Sequence, residues 1–159
     1  MMELFDSAAP LTREEIDRLE SQLGVSFPED YIEFILKNNG GEPEEDWLFD
    51  FNDGVSESEN TSVIRGFYKF YLHEDDSPSY DDLVKICNTM WKEKAFGRDM
   101  VAIADDPGGN PICMCVSGEN FGKVYFADHE FEDTKTGYLF MSEVAPSFSA
   151  FMDKLYADE

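Results

Sequence analysis

The sequence predicts an α+β domain in which helices pack against a largely antiparallel β-sheet. Helical apolar spacing occurs at both ends of the chain and once in the middle. Short β-rich runs separated by glycine-containing turns fill the rest, without regular β-α-β alternation. At 159 residues, with 42% hydrophobic content and fourteen phenylalanines, the chain can bury one full core without staples.

Met1 to Pro10 reads as a leader lying against the domain, and residues 11–159 as a single domain. Thr12 and Glu15 have the S/T-x-x-E spacing of a capping box. Ile16, Leu19 and Leu23 then make one apolar face, and Gly24 can end the helix in the left-handed conformation. A second helix follows, with Pro28 at its first position and Glu29 and Asp30 at the positive end of its dipole. Tyr31, Phe34, Ile35 and Asn38 share a face, and Asn39-Gly40-Gly41 with Pro43 closes the element.

Glu42 to Asp46 reads as an acidic turn and Trp47–Phe51 as a strand, followed by a loop from Asn52 to Thr61. Val63–Tyr71 is rich in β-branched and aromatic residues and holds a strand, with Gly66 a bulge or bend. After the acidic loop His73–Ser79, Tyr80–Lys94 turns helical, with Leu83, Ile86, Cys87, Met90 and Trp91 inward. Met100–Ala104, Ile112–Val116 and Gly122–Ala127 form a meander, and Tyr138–Met141 adds a short strand. A last helix carries Phe148, Phe151, Met152 and Leu155, with Pro146 at its first position.

The charge is lopsided: 35 acidic against 12 basic residues, a net of −23. Such a surface opposes binding to nucleic-acid phosphates and to anionic membranes, and complements a positively charged partner. No apolar run approaches a membrane span, and the N-terminus lacks the basic and hydrophobic regions of a signal peptide. Three cysteines without a C-x-x-C fit a reducing cytoplasm.

Motifs for chemistry are sparse. Asp105 to Asn110 contains paired glycines but lacks the Lys-Ser/Thr ending of a P-loop, and its carboxylates would repel phosphate. Asp50 to Gly54 resembles a calcium loop only in composition, because Thr61 stands where a bidentate glutamate belongs. A metal-assisted reaction would have to draw on Asp105, Asp106, Asp128 and His129, and with His73 the only other histidine a multi-histidine zinc site has no ligands. Cys113 and Cys115 share one side of a strand and read as buried small hydrophobes rather than nucleophiles paired with His129. These readings give no catalytic residue, no metal and no cofactor.

The ordered set Ile16-x-x-Leu19-Glu20-x-x-Leu23-Gly24, Phe27-Pro28-Glu29-Asp30-Tyr31-x-x-Phe34 and Asn38-Asn39-Gly40-Gly41-x-Pro43 resembles the SUKH superfamily, which includes the Smi/Knr-type cell-wall-assembly regulator domain. Asp105-x-x-Gly108-Gly109-Asn110-x-Ile112-Cys113, Gly122 to Glu130 and Ala145-x-Ser147-Phe148-x-x-Phe151 extend the resemblance over nearly all of the chain. It implies an α+β domain without a known active site. Bacterial members look like immunity proteins that neutralise a cognate toxin, often a nuclease, whereas eukaryotic relatives are interaction modules. For this chain the expectation is a cytoplasmic, non-catalytic binder of a toxin or other protein with a basic surface. The expected contacts are Glu42, Glu44, Glu45 and Asp46, with Glu74, Asp75 and Asp76. A general interaction module without a toxin partner is the alternative.

Overall fold

The computed structural model describes residues 2–52, 60–72 and 80–157. Five antiparallel strands form the main sheet in the order β5 (Gly66–Phe67), β6 (Met100–Asp105), β7 (Pro111–Cys115), β8 (Val124–Glu132), β9 (Leu139–Ala145). The last four are consecutive in the chain, which is the expected meander. Every residue of β7 is buried, so both faces of this sheet are covered.

Helix α1 (Arg13–Leu23) starts in the expected capping box: the Thr12 hydroxyl accepts from the Glu15 amide, and the Glu15 carboxylate accepts from the Thr12 amide. Gly24 ends it at φ 74°. Helix α2 (Glu29–Lys37) follows, and here Pro28 is not the first helical residue but the extended cap before it. Asn38 is also extended and outside the helix, so the apolar face is Tyr31, Ile35 and the half-buried Phe34. Helix α3 (Leu83–Lys92) begins later than expected because Asp82 is its cap, accepting from the amides of Val84 and Lys85. In helix α4 (Phe148–Lys154) the cap is Ser147, accepting from Ala150, and Pro146 lies one residue before it rather than in the first turn.

Two small sheets complete the fold. Strand β1 (Leu4–Phe5), within the leader, pairs with β2 (Glu42–Pro43), so the acidic turn begins as a strand. Strand β3 (Trp47–Phe51) pairs with β4 (Asn60–Val63) on one side and with β10 (Tyr156–Ala157) on the other. Neither β1 nor β10 has a local sequence signal, because two residues cannot show a period. The run Val63–Tyr71 holds strand β5 and spans two sheets: Val63 ends β4 and Gly66 begins β5 in the other sheet. Gly66 is the bend, as expected, but the bend moves the chain between sheets. Residues 53–59 and the loop 73–79 lie outside the described residues.

Aromatic rings join the layers. Phe49 and Phe51 of β3 meet Phe126 of β8 at 5.3 and 4.3 Å between centroids, and Phe49 meets Phe151 of α4 at 5.7 Å. Tyr31 and Phe34 of α2 meet Phe148 at 5.2 and 5.1 Å. The edge-on and tilted geometries are those the ring quadrupole favours. On α3, the Trp91 indole donates to the Met100 carbonyl at 2.9 Å and anchors the helix to β6.

Candidate functional site

The acidic turn Glu42–Asp46 stands on a glycine frame. Gly40 has φ +70°, and a Cβ there would meet the Tyr68 and Phe67 carbonyl oxygens at 2.6 and 2.8 Å. Gly41 has φ +126° and would meet the Phe5 carbonyl oxygen at 2.9 Å. Only glycine fits both the conformation and the space. The gain is a backbone bridge, Gly41 to Phe67, that ties the turn to β5. Before it, buried Asn39 donates to the Ala9 and Phe70 carbonyls and accepts from the Phe70 amide, all within 2.9 Å. The motif therefore clamps leader, α2 and main sheet at one point, and the acidic residues leave from that point.

Their side chains divide. Glu42 is half-buried and pairs with Arg65 at 3.2 Å, and Arg65 also holds Asp105 at 2.5 Å. Glu44, Glu45 and Asp46 are exposed, and among the described residues none bonds to their carboxylates. Glu74, Asp75 and Asp76 lie outside the described residues. The segment that carries them is bracketed by a buried ion pair, Lys69 with Asp81 at 2.9 Å, and by the Tyr71 hydroxyl donating to Asp81 at 3.0 Å. Sequence reading missed this pair, since nothing local marks Lys69 as buried.

The carboxylates considered for metal chemistry are engaged elsewhere. Asp105 accepts from Arg65 and from the Tyr68 hydroxyl at 3.0 Å. Burial raises its pKa above the usual value, and the Arg65 and Tyr68 bonds only partly oppose this. Asp106 accepts from the Gly108 and Asn110 amides, the Asn110 side chain and the Ser62 hydroxyl. His129 is exposed, with its amide and Nδ1 both against Asn110 Oδ1 at 2.9 and 2.5 Å. Asp128 accepts from the Glu130 amide. Among the described residues no group of three or more His, Cys, Asp or Glu side chains is gathered as a metal would require.

The thiols are similarly inert. Burial pushes Cys87 up to about 12 and Cys113 well above the usual thiol value, so neither is a thiolate at neutral pH. The Cys115 thiol donates to the Ser117 carbonyl at 3.0 Å. What the arrangement can do is present negative charge on a rigid support. Among the described residues, no helix is long and apolar enough to cross a membrane.

Known proteins place this architecture. The SPbeta prophage-derived uncharacterized protein YokK of Bacillus subtilis (strain 168) is 27% identical over 156 residues, covering 91% of this chain and 74% of that protein. Residues 10–154, from before the Thr12 capping box to the last residue of α4, match the SMI1 / KNR4 family (SUKH-1). The glycine frame, the Asp106 turn and the four helices all fall within that match, and the chain belongs to the SMI1 / KNR4 family (SUKH-1).

Proposed function

We propose that this protein is a cytoplasmic, non-catalytic immunity-type protein that neutralises a cognate bacterial toxin by stoichiometric binding. The observation that carries the reading is the division of carboxylates. Asp105 and Asp106, which chemistry would need, are held by structural bonds, while the carboxylates of Glu44, Glu45 and Asp46 project from a rigid turn with no partner among the described residues. Family membership supports the class.

A net charge of −23 matches a toxin with a basic surface. A nuclease is the best-matched chemistry, because it must carry such a surface to hold nucleic acid. Covering that surface would exclude the substrate. The test is co-expression with the product of the neighbouring gene, followed by association kinetics. Rescue of growth, with an association rate that falls about tenfold as salt is raised, is the expected result. Failure of the neighbouring product to bind removes the toxin reading, and a salt-independent rate removes its electrostatic part.

A further inference from the structure

A groove runs between α2 and α4 and continues beside β1 and the start of β3. Its floor is six half-buried apolar side chains: Met2, Leu4, Phe34, Leu36, Trp47 and Met152. The inner side of Phe34 is used, with its ring 5.0 Å from Phe67 and 5.1 Å from Phe148, and the outer side faces the groove. Asp30, Glu33 and Asp153 line the edge, with Lys37 the one cation there among the described residues. At the far end lies Trp47, the residue that follows Asp46 of the acidic turn in the chain.

We propose that this groove receives a basic amphipathic helix of a partner protein, its apolar face on the floor and its Lys and Arg side chains along the acidic edge. The proposal rests on the partner-binding reading and names the partner's chemistry. A helix laid in a groove needs apolar anchors at one spacing and polar groups at the rim. Two methionines and a tryptophan supply an adaptable floor with an aromatic anchor. Charge decides the occupant. A second copy of a chain at −23 would bring like charge to an acidic edge, and an anionic lipid surface would do the same. A cationic helix gains on both counts.

The probe is a Lys/Leu amphipathic helical peptide, titrated into the 15N-labelled protein, with Lys/Ser and Glu/Leu peptides of equal length as controls. Amide shifts should concentrate at Glu33, Leu36, Lys37, Met152 and Asp153, and the Lys/Ser peptide should bind at least about tenfold more weakly. Shifts confined to Glu42–Asp46, or equal binding by the Lys/Ser peptide, would overturn the groove. Leu36→Glu with Glu33→Lys should weaken the Lys/Leu peptide by a similar factor. Asp30 is left intact because it accepts from the amide and hydroxyl of Ser149 and holds α2 to α4. If the variant unfolds, the shift map on the unaltered protein still decides. A peptide that maps to the groove while the neighbouring gene product fails to bind would leave the groove standing and remove the toxin.

Discussion

The Asp105–Asn110 turn and the Glu42–Asp46 turn both set carboxylates beside glycines, yet they use them in opposite ways. Asp106 is 6% exposed and accepts four hydrogen bonds, one of them from Ser62 on β4. The side chains of Glu44, Glu45 and Asp46 are exposed, and their carboxylates have no bonding partner among the described residues. In sequence the two look alike, acidic residues next to Gly-Gly. The difference teaches that in a chain this acidic, composition does not identify a working carboxylate. The inventory of its donors does.

The largest expected effect breaks the first turn. Asp106→Ala removes the acceptor for four donors in a buried place, and should cost about 3 kcal/mol in urea unfolding. Partner association by the folded fraction should stay within about twofold, since the turn is distant in role from the charged surface. A stability loss below about 1 kcal/mol would show that the bonds are incidental and collapse the comparison.

Next in size is the frame under the second turn. Gly40→Ala places a Cβ 2.6 Å from a carbonyl oxygen at φ +70°, and should destabilise by about 2 kcal/mol or more. Gly24→Ala is the control, because its φ is +74° but no atom lies within 4 Å of the added carbon. The excess loss at Gly40 over Gly24 measures the close packing alone.

A smaller effect, of opposite sign, tests the donor-counting rule inside the core. The Tyr31 hydroxyl is buried without a hydrogen-bond partner among the described residues, so Tyr31→Phe should leave stability unchanged or raise it by about 1 kcal/mol. A clear loss would mean that the hydroxyl is satisfied after all. Smaller still is the effect of neutralising the second turn itself. Glu44→Gln, Glu45→Gln and Asp46→Asn together should shift stability by only about 0.5 kcal/mol, while slowing partner association several-fold at low salt.

Much of this fold is legible in the chain, and the boundary of legibility is physical. Thr12 and Glu15 are three residues apart, so their capping box can be read directly. The meander is readable because each hairpin turn sits between its own strands. The Arg65–Asp105 pair spans 40 residues and the Asn39–Phe70 bonds span 31, and no local pattern encodes either. The same limit explains the candidate site. Exposure of Glu44 to Asp46 follows from their run of charge, but the pairing of Glu42 depends on where β5 brings Arg65. It also hides the groove, which unites Met2, ahead of β1, with Phe34, Trp47 and Met152 from three separate elements.

Asp105 offers the finest test, because it lies between the two turns in character: half-buried and paired, but raised in pKa by burial. In the folded protein it takes its proton at a higher pH than the unfolded value near 3.8. Between those two pH values the folded state binds more protons than the unfolded one. Stability contributed by this group is therefore gained as pH falls through the window and lost as pH rises through it. That direction is opposite to a carboxylate stabilised mainly by an ion pair. Unfolding free energies of the protein and of Asp105→Asn, measured across the acid range and subtracted, should give a difference that declines with rising pH. A difference that climbs instead would mean that the attraction of Arg65, at 2.5 Å, outweighs burial.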